Sequence, residues 1–359
     1  MAQKVLVSTK KGLFIFKLDG DQSQCIGHYH SGIPVTAACV DATGAIWSCF
    51  DHGHWSVKIS RSQDEGQSWQ EIASPKYPKD AVYANWGQEN IPAVLKYIWT
   101  IEPLAQQEGV LVGTIPGGLF RWQQGEWQLD QGLWGHPSRN KWFGGGMDDP
   151  GIHSIIINPD NADHLMVALS CAGIFETTNG GQSWETRNQG MQAGFLPDPE
   201  ADREVGYDPH RVVRSESDPL VLWQQNHVGI YVSRDGAHSW QSVSTADTMP
   251  HFGFAIIASP TDPGTAWVLP GQSDEIRIAP TTGLCLYRTD DFGQTWSIQN
   301  RGLPSPAYDI CYRHAMDIQQ QTIVFGSTTG NLYFTDDGGQ QFHTISTNLP
   351  PILSVDFYP

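Results

Sequence analysis

Basic residues are scarce in this chain: 21 Lys and Arg stand against 38 Asp and Glu in 359 residues, a formal charge of −17. So acidic a chain lacks the cationic footprint that phosphate backbones and anionic lipid surfaces demand. Neither nucleic acid nor a membrane is therefore expected as a partner. No run approaches the ~18 apolar residues of a membrane-spanning helix. The start, Met1-Ala2-Gln3-Lys4-Val5, turns directly into a strand-like pattern without an apolar leader core. Six cysteines (Cys25, Cys39, Cys49, Cys171, Cys285, Cys311) are scattered with no CxxC pair, and read as reduced thiols of a cytoplasmic protein. What the chain does have is Gly (37), Pro (23), Trp (14) and 39 % hydrophobic residues, ample for a packed core and too apolar for disorder.

Internal repetition is the dominant signal. Ser62-Gln-Asp64-Glu-Gly66-Gln-Ser68-Trp69 returns as Thr177-Thr-Asn179-Gly-Gly181-Gln-Ser183-Trp184 and as Ser233-Arg-Asp235-Gly-Ala237-His-Ser239-Trp240. It returns again as Thr289-Asp-Asp291-Phe-Gly293-Gln-Thr295-Trp296 and, worn, as Thr335-Asp-Asp337-Gly-Gly339-Gln-Gln341-Phe342. The chemistry of this S/T-x-D-x-G-x-S/T-W box is structural. The Asp or Asn accepts from backbone N–H groups two residues on, Gly supplies positive φ, and the Trp packs beneath the turn. Asp64, Asn179, Asp235, Asp291 and Asp337 are thus turn formers, and the turns at Ala237 and Gln341 should be less ideal. With these boxes, nearly the whole chain resembles the Asp-box, or bacterial neuraminidase repeat, proteins, which are sialidase-like β-propellers. It also resembles bacterial propellers named as glycosyl hydrolases or likened to photosystem II assembly factors.

Box starts at 62, 177, 233, 289 and 335 leave one double gap of 115, where Arg121-Trp122-Gln-Gln-Gly125-Glu-Trp127 replaces a lost box. A second marker, Gly followed by an apolar-aromatic strand, recurs at Gly12, Gly118, Gly173, Gly229, Gly283 and Gly330, with His54-Trp55-Ser56-Val57 as an aberrant copy. Seven units of about 51 residues follow from 359. The expected architecture is all-β: one domain, 1–359, forming a single seven-bladed propeller of four-stranded antiparallel blades. The run 352–357 supplies the strand that the N-terminal blade lacks, hiding an otherwise open edge.

Within such blades the box joins the third and fourth strands. Loops leading into each first strand, and loops joining the second and third, then share the opposite face. His153, His210 and His314 occupy one equivalent position in blades four, five and seven; blade six has Phe254 there, with His251 three residues earlier. His227 falls in the second-to-third-strand loop of blade five. Three readings of this convergence stay open. The four histidines are satisfied polar plugs, or they hold a divalent transition metal (Zn, Fe, Cu or Ni), or they act as acid–base or anion-binding groups. Long insertions ornament the same face: 133–151, with Arg139, Trp142, Asp149 and a triple Gly; 190–209; 271–277, with Asp274 and Arg277; and 83–97. Together with Asn226, the residues Arg139, Trp142, Asp149, Asp274 and Arg277 are the candidate ligand contacts.

Three functions follow. The first is a histidine-lined pocket that binds or hydrolyses a small polar molecule, with a metal where one is held. The second, implied by the resemblance, is a sialidase-like glycosidase with a carbohydrate substrate. It requires an arginine clamp, a Tyr nucleophile with a Glu partner and an acid/base Asp. The Arg-Ile-Pro signature of that class is absent, since the chain reads Ser31-Gly-Ile33-Pro34, and Arg139, Arg211, Arg277 and Arg313 carry no matching motif. The third is a non-catalytic interaction scaffold with a protein partner.

Overall fold

The computed structural model describes residues 2–104, 107–198, 203–244 and 249–358. They form seven four-stranded antiparallel blades and one two-stranded hairpin, and the fold is a seven-bladed β-propeller. Contacts divide the chain into two compact units, 1–35 with 189–191 and 210–359, and 36–188 with 192–209.

In the first unit the N-terminal blade has the strand order Gln22–Tyr29, Gly12–Asp19, Gln3–Thr9, Ile352–Tyr358. The C-terminal strand therefore joins the N-terminal one as the spacing predicts. It runs antiparallel, with Val5 opposite Phe357 and Val7 opposite Val355. Three further blades begin with Pro209–Arg214, Gly253–Ala258 and Met316–Gln319. The second unit carries blades led by Val35–Val40, Tyr97–Pro103 and Ile152–Asn158.

Burial explains the pattern inside a blade. Strands covered on both faces read as near-continuous apolar runs, such as Val110–Ile115 and Gly253–Ala258, every residue of which is buried. In the blades that carry a box the last strand is short, such as Gln241–Ser242, both residues of which are exposed. The core of the first unit gathers Val5, Val7, Phe325, Phe334, Ile352 and Val355; that of the second gathers Trp142, Ile152, Val167 and Phe175. Each box lies between third and fourth strands, as between Leu286–Thr289 and Ser297–Gln299. Two blades lack a box: the N-terminal one turns on Gly20 (φ +59°) and Asp21, and the blade led by Tyr97–Pro103 on Gln124 (φ +55°) and Gly125 (φ +88°), a two-residue hairpin whose positive φ values match strand twist.

Candidate functional site

The five boxes repeat one hydrogen-bond pattern, and it differs from the expected one in register. Asp64 Oδ1 accepts from the Ser68 N–H, four residues on, at 2.8 Å, and its Oδ2 from the Ser68 hydroxyl at 2.5 Å. Asn179, Asp235, Asp291 and Asp337 accept the equivalent N–H groups at 2.9–3.1 Å. The nearer amides belong to the leading hydroxyl instead. Thr289 Oγ1 takes the N–H of Asp291 at 3.3 Å and of Gly293 at 2.9 Å. Both departures keep the hydrogen bonds of their turns, Ala237 N donating to Ser233 Oγ at 2.8 Å and Gln341 N to Asp337 Oδ1 at 3.1 Å, while Ala237 bears the backbone strain of φ +69°. The bond needs only the backbone donor, whatever side chain that residue carries.

The histidines are placed by strand starts. His153 and His210 are each the second residue of a first strand, Ile152–Asn158 and Pro209–Arg214, and Phe254 is the second residue of Gly253–Ala258. His314 lies two residues before Met316–Gln319, and its carbonyl accepts from Val355 N at 2.8 Å. His153 is fully buried, edge-on to Trp99 at 5.5 Å, with Nδ1 at 3.0 Å from Ser154 Oγ.

His210 and His227 come together, their rings edge to face with centroids 5.5 Å apart. Asp208, His210 and His227 each offer one ligand atom, all within 4.8 Å of one another, the one such metal-capable group among the described residues. His153 and His314 are not part of it. His210 is almost fully buried, and its Nδ1 lies 2.6 Å from the Gly253 carbonyl oxygen. A carbonyl can only accept, so Nδ1 carries the proton and the lone pair of the neutral ring sits on Nε2. His227 is partly exposed, and its Nε2 lies 3.6 Å from Asp274 Oδ2. Asp208 is buried, with Oδ1 accepting from Ser170 Oγ at 3.0 Å and Cys171 N at 3.2 Å. Gly145, in the triple-Gly loop, packs beside it: a Cβ there would fall 2.8 Å from Ser170 Oγ and 3.6 Å from Asp208 Oδ2. Asp208 was not expected. The signal was present in Asp208-Pro-His210, since residues two apart on an extended strand face one way.

Phe252 and Phe254 wall the two histidines. Phe254 stacks on His210 at 4.7 Å, and Phe252 is edge-on to His210 and His227 at 5.7 and 5.8 Å. Arg277 is set by its own loop, Nε donating to the Asp274 carbonyl at 3.0 Å, and faces Phe254. Asp274 and Arg277 thus adjoin the histidine pair. Asn226 does not reach out: it is buried, donating to Gln224 Oε1 at 3.1 Å and accepting from Val228 N at 3.2 Å.

The remaining expected contacts gather elsewhere, in the second unit. Asp149 is buried and accepts from Tyr83 Oη and Lys96 Nζ, both at 2.5 Å, and from Asn85 Nδ2 at 3.3 Å. This ties the hairpin Val82–Asn85/Gln88–Pro92 to the Gly-rich loop. Burial and the bond to Asp149 raise the Tyr83 phenol; burial would lower Lys96, but its bonds to Asp149 and Tyr83 outweigh that and raise it. Trp142, expected as a ligand contact, is 1 % exposed and packs in the core. Arg139 is buried between Trp134 and Trp142, 3.4 and 4.8 Å from their ring centroids, and donates to the Gly117 carbonyl at 2.9 Å. Burial lowers its pKa to about 9.

No protein-family model and no curated protein matches the chain. Among solved structures, YCF48 bound to a D1 peptide superposes with a TM-score of 0.57 at 15 % identity, over 92 % of this chain and 88 % of that one. YCF48 from Cyanidioschyzon merolae gives a TM-score of 0.52 at 13 % identity, over 92 % and 94 %. An ancestral GH74 enzyme gives 0.56 at 18 % identity over 86 % of this chain and 38 % of its own length. At these identities the likeness is one of fold: the chain is a seven-bladed propeller similar to those of YCF48 and of GH74 enzymes.

Proposed function

We propose that the chain is an Asp-box repeat propeller that holds a divalent transition metal at Asp208, His210 and His227 and offers it to a small polar ligand. The observation that carries this reading is the approach of one carboxylate and two imidazoles to within 4.8 Å. That donor set is shared by hydrolytic zinc sites and by open non-haem iron sites, and also suits copper or nickel. The Gly253 carbonyl on His210 Nδ1 supplies the second-layer hydrogen bond that fixes a ligating tautomer. Three protein ligands leave positions for water or substrate, and the partial exposure of His227 gives access from one side. A bound metal supplies a water acidic enough to attack near neutral pH, so hydrolysis is the reaction class to assay first. The recurring box hydrogen bonds support the Asp-box kinship, and six free thiols, five of them buried, support a reducing cytoplasmic setting. The likeness to a GH74 enzyme and to peptide-bound YCF48 makes a carbohydrate and a peptide the alternative ligands.

Metal content of protein purified without chelator, with calorimetric titration of Zn²⁺ into the stripped protein, tests this. His210→Ala and His227→Ala should each weaken the metal at least about tenfold. Wild-type protein that retains no metal and gives no binding heat with zinc, iron, copper or nickel ends the reading.

A further inference from the structure

The wall beside the histidine pair carries positive charge in a chain whose formal charge is −17. The ring of Phe254, stacked on His210 at 4.7 Å, also lies beneath two guanidinium groups, Arg313 at 4.9 Å and Arg277 at 5.6 Å. The arginines come from separate loops, one after Ala266–Pro270 and one before Met316–Gln319. Ring stacking engages the flat face of a guanidinium and leaves the N–H fork in the plane for hydrogen bonding, the geometry that matches carboxylate and phosphate oxygens. Phe252, Phe254 and Ile310 form a small buried apolar cluster behind it, so charges here are less screened than in open water.

Formal charges then decide between ligand classes. Arg277 and Arg313 bring two positive charges to the wall beside the metal-capable group, and a divalent ion would add two more. An anion gains the attraction of these charges, whereas a neutral sugar takes only hydrogen bonds from the guanidinium groups.

We infer that the ligand of this site is an oxyanion, a carboxylate or a phosphate monoester, gripped by Arg277 and Arg313 against the Phe254 wall. The inference rests on the metal reading for the charge balance, while the grip itself rests on the arginines. Asp274 opposes that grip: its carboxylate, 3.6 Å from His227 Nε2, repels an incoming anion and would have to turn away as one binds.

The test is calorimetric titration of inorganic phosphate, oxalate and D-glucose into zinc-loaded and metal-stripped protein, for wild type, Arg277→Met and Arg313→Met. Arg277 is exposed, so its variant keeps the fold and the comparison stands even where Arg313→Met melts early. The expected result is anion binding stronger in the loaded protein and weakened about tenfold to a hundredfold by either substitution, with zinc affinity unchanged and no response to glucose. Stronger binding of phosphate or of oxalate names which anion is the better fit. Zinc binding with anion affinity indifferent to both arginines, or glucose binding as well as the anions, overturns the inference and leaves the metal reading intact. Arginine-dependent anion binding in a protein that takes no zinc keeps the anion grip and ends the metal reading. Binding of neither ends both.

Discussion

Gly293→Ala tests whether the box turns are as tightly fitted as their hydrogen bonds imply. Gly293 has φ +81°, donates to Thr289 Oγ1 at 2.9 Å, and faces Val243 so closely that a Cβ would fall 2.5 Å from Val243 Cβ and 2.7 Å from its Cγ2. Val243 has little freedom to retreat. Its N–H donates to the Ile230 carbonyl at 2.8 Å, and its own carbonyl accepts from Trp296 Nε1, in the same box as Gly293, at 3.0 Å. An L-residue in the left-handed region costs about 1–2 kcal/mol. The lost flexibility of the unfolded chain returns about 0.4–1 kcal/mol. Forcing a methyl into filled space adds about 1–3 kcal/mol. The net expectation is a destabilisation of about 1–5 kcal/mol, read as a lowered urea midpoint and a melting temperature lower by about 2–4 °C per kcal/mol. Ala237 is the internal control, at φ +69° with its N–H on Ser233 Oγ at 2.8 Å. There Ala237→Gly relieves about 1–2 kcal/mol of strain but loses a buried methyl (about 0.8) and gains unfolded-state entropy (about 0.4–1), so it should change stability by less than about 1 kcal/mol. A Gly293→Ala protein that melts at or above wild type would refute the reasoning.

Other consequences can be checked on the same protein. Asp64 lies below the usual carboxylate range chiefly through the Ser68 hydroxyl, and Asp291 chiefly through the Thr295 N–H. Depressed carboxylates contribute stability present above the unfolded value near ~3.9 and lost as pH falls through the folded value. The melting temperature should therefore hold from neutral pH to about 5 and fall below about 4, less steeply in Asp291→Asn; identical slopes would count against this. Deleting 351–359 removes the partner of Gln3–Thr9 and uncovers Val5 and Val7, so the truncated protein should aggregate or melt far lower, as light scattering and calorimetry would show. Lys96→Met leaves the buried Asp149 without its cation and should cost about 1–3 kcal/mol while making the 143–151 loop an early protease site; unchanged proteolysis would show that the ion pair holds nothing in place.

The propeller was legible because its information is local and repeated. Each box encodes a turn within eight residues, and the spacing of turns sets the blade count without any knowledge of long-range contacts. Even the missing box was readable, since Gln124 and Gly125 make the shorter hairpin that the third blade uses. What the repeat did not reveal was the division of labour inside the turn. Two side chains compete for the turn's amides, and the leading hydroxyl takes the near ones, leaving the carboxylate the N–H four residues on. The same chemistry explains why Ala237 is tolerated: the donor is backbone.

The site was legible only as far as strand position reaches. Counting along strands put His153, His210 and His314 at one register position, with Phe254 there in blade six; the structure keeps that equivalence for His153, His210 and Phe254, whereas His314 lies two residues before its strand, and register alone does not say which side chains meet. The histidine that meets His210 is the loop residue His227, not another member of its register set, and the third donor stands two residues before His210, where alternation along a strand puts it on the same side. Loop insertions are harder, because their side chains are placed by partners far away in sequence. Tyr83 and Asp149 are 66 residues apart, and their bond decides where Lys96 sits. Aromatic content in an insertion likewise leaves open which ring is core and which is surface. Trp142 went to the core, while Trp86 is 66 % exposed on its hairpin, resting on Phe143 at 4.4 Å. The difference follows from the backbone. Trp86 occupies the tip of a tight turn at φ +48°, where no neighbouring strand can cover it, whereas Trp142 closes a short helical turn whose Ser138 hydroxyl takes its indole N–H at 3.0 Å. A Trp that finds both an apolar bed and an acceptor is buried; Trp86, with a single ring beside it at the tip of its hairpin, stays largely in water.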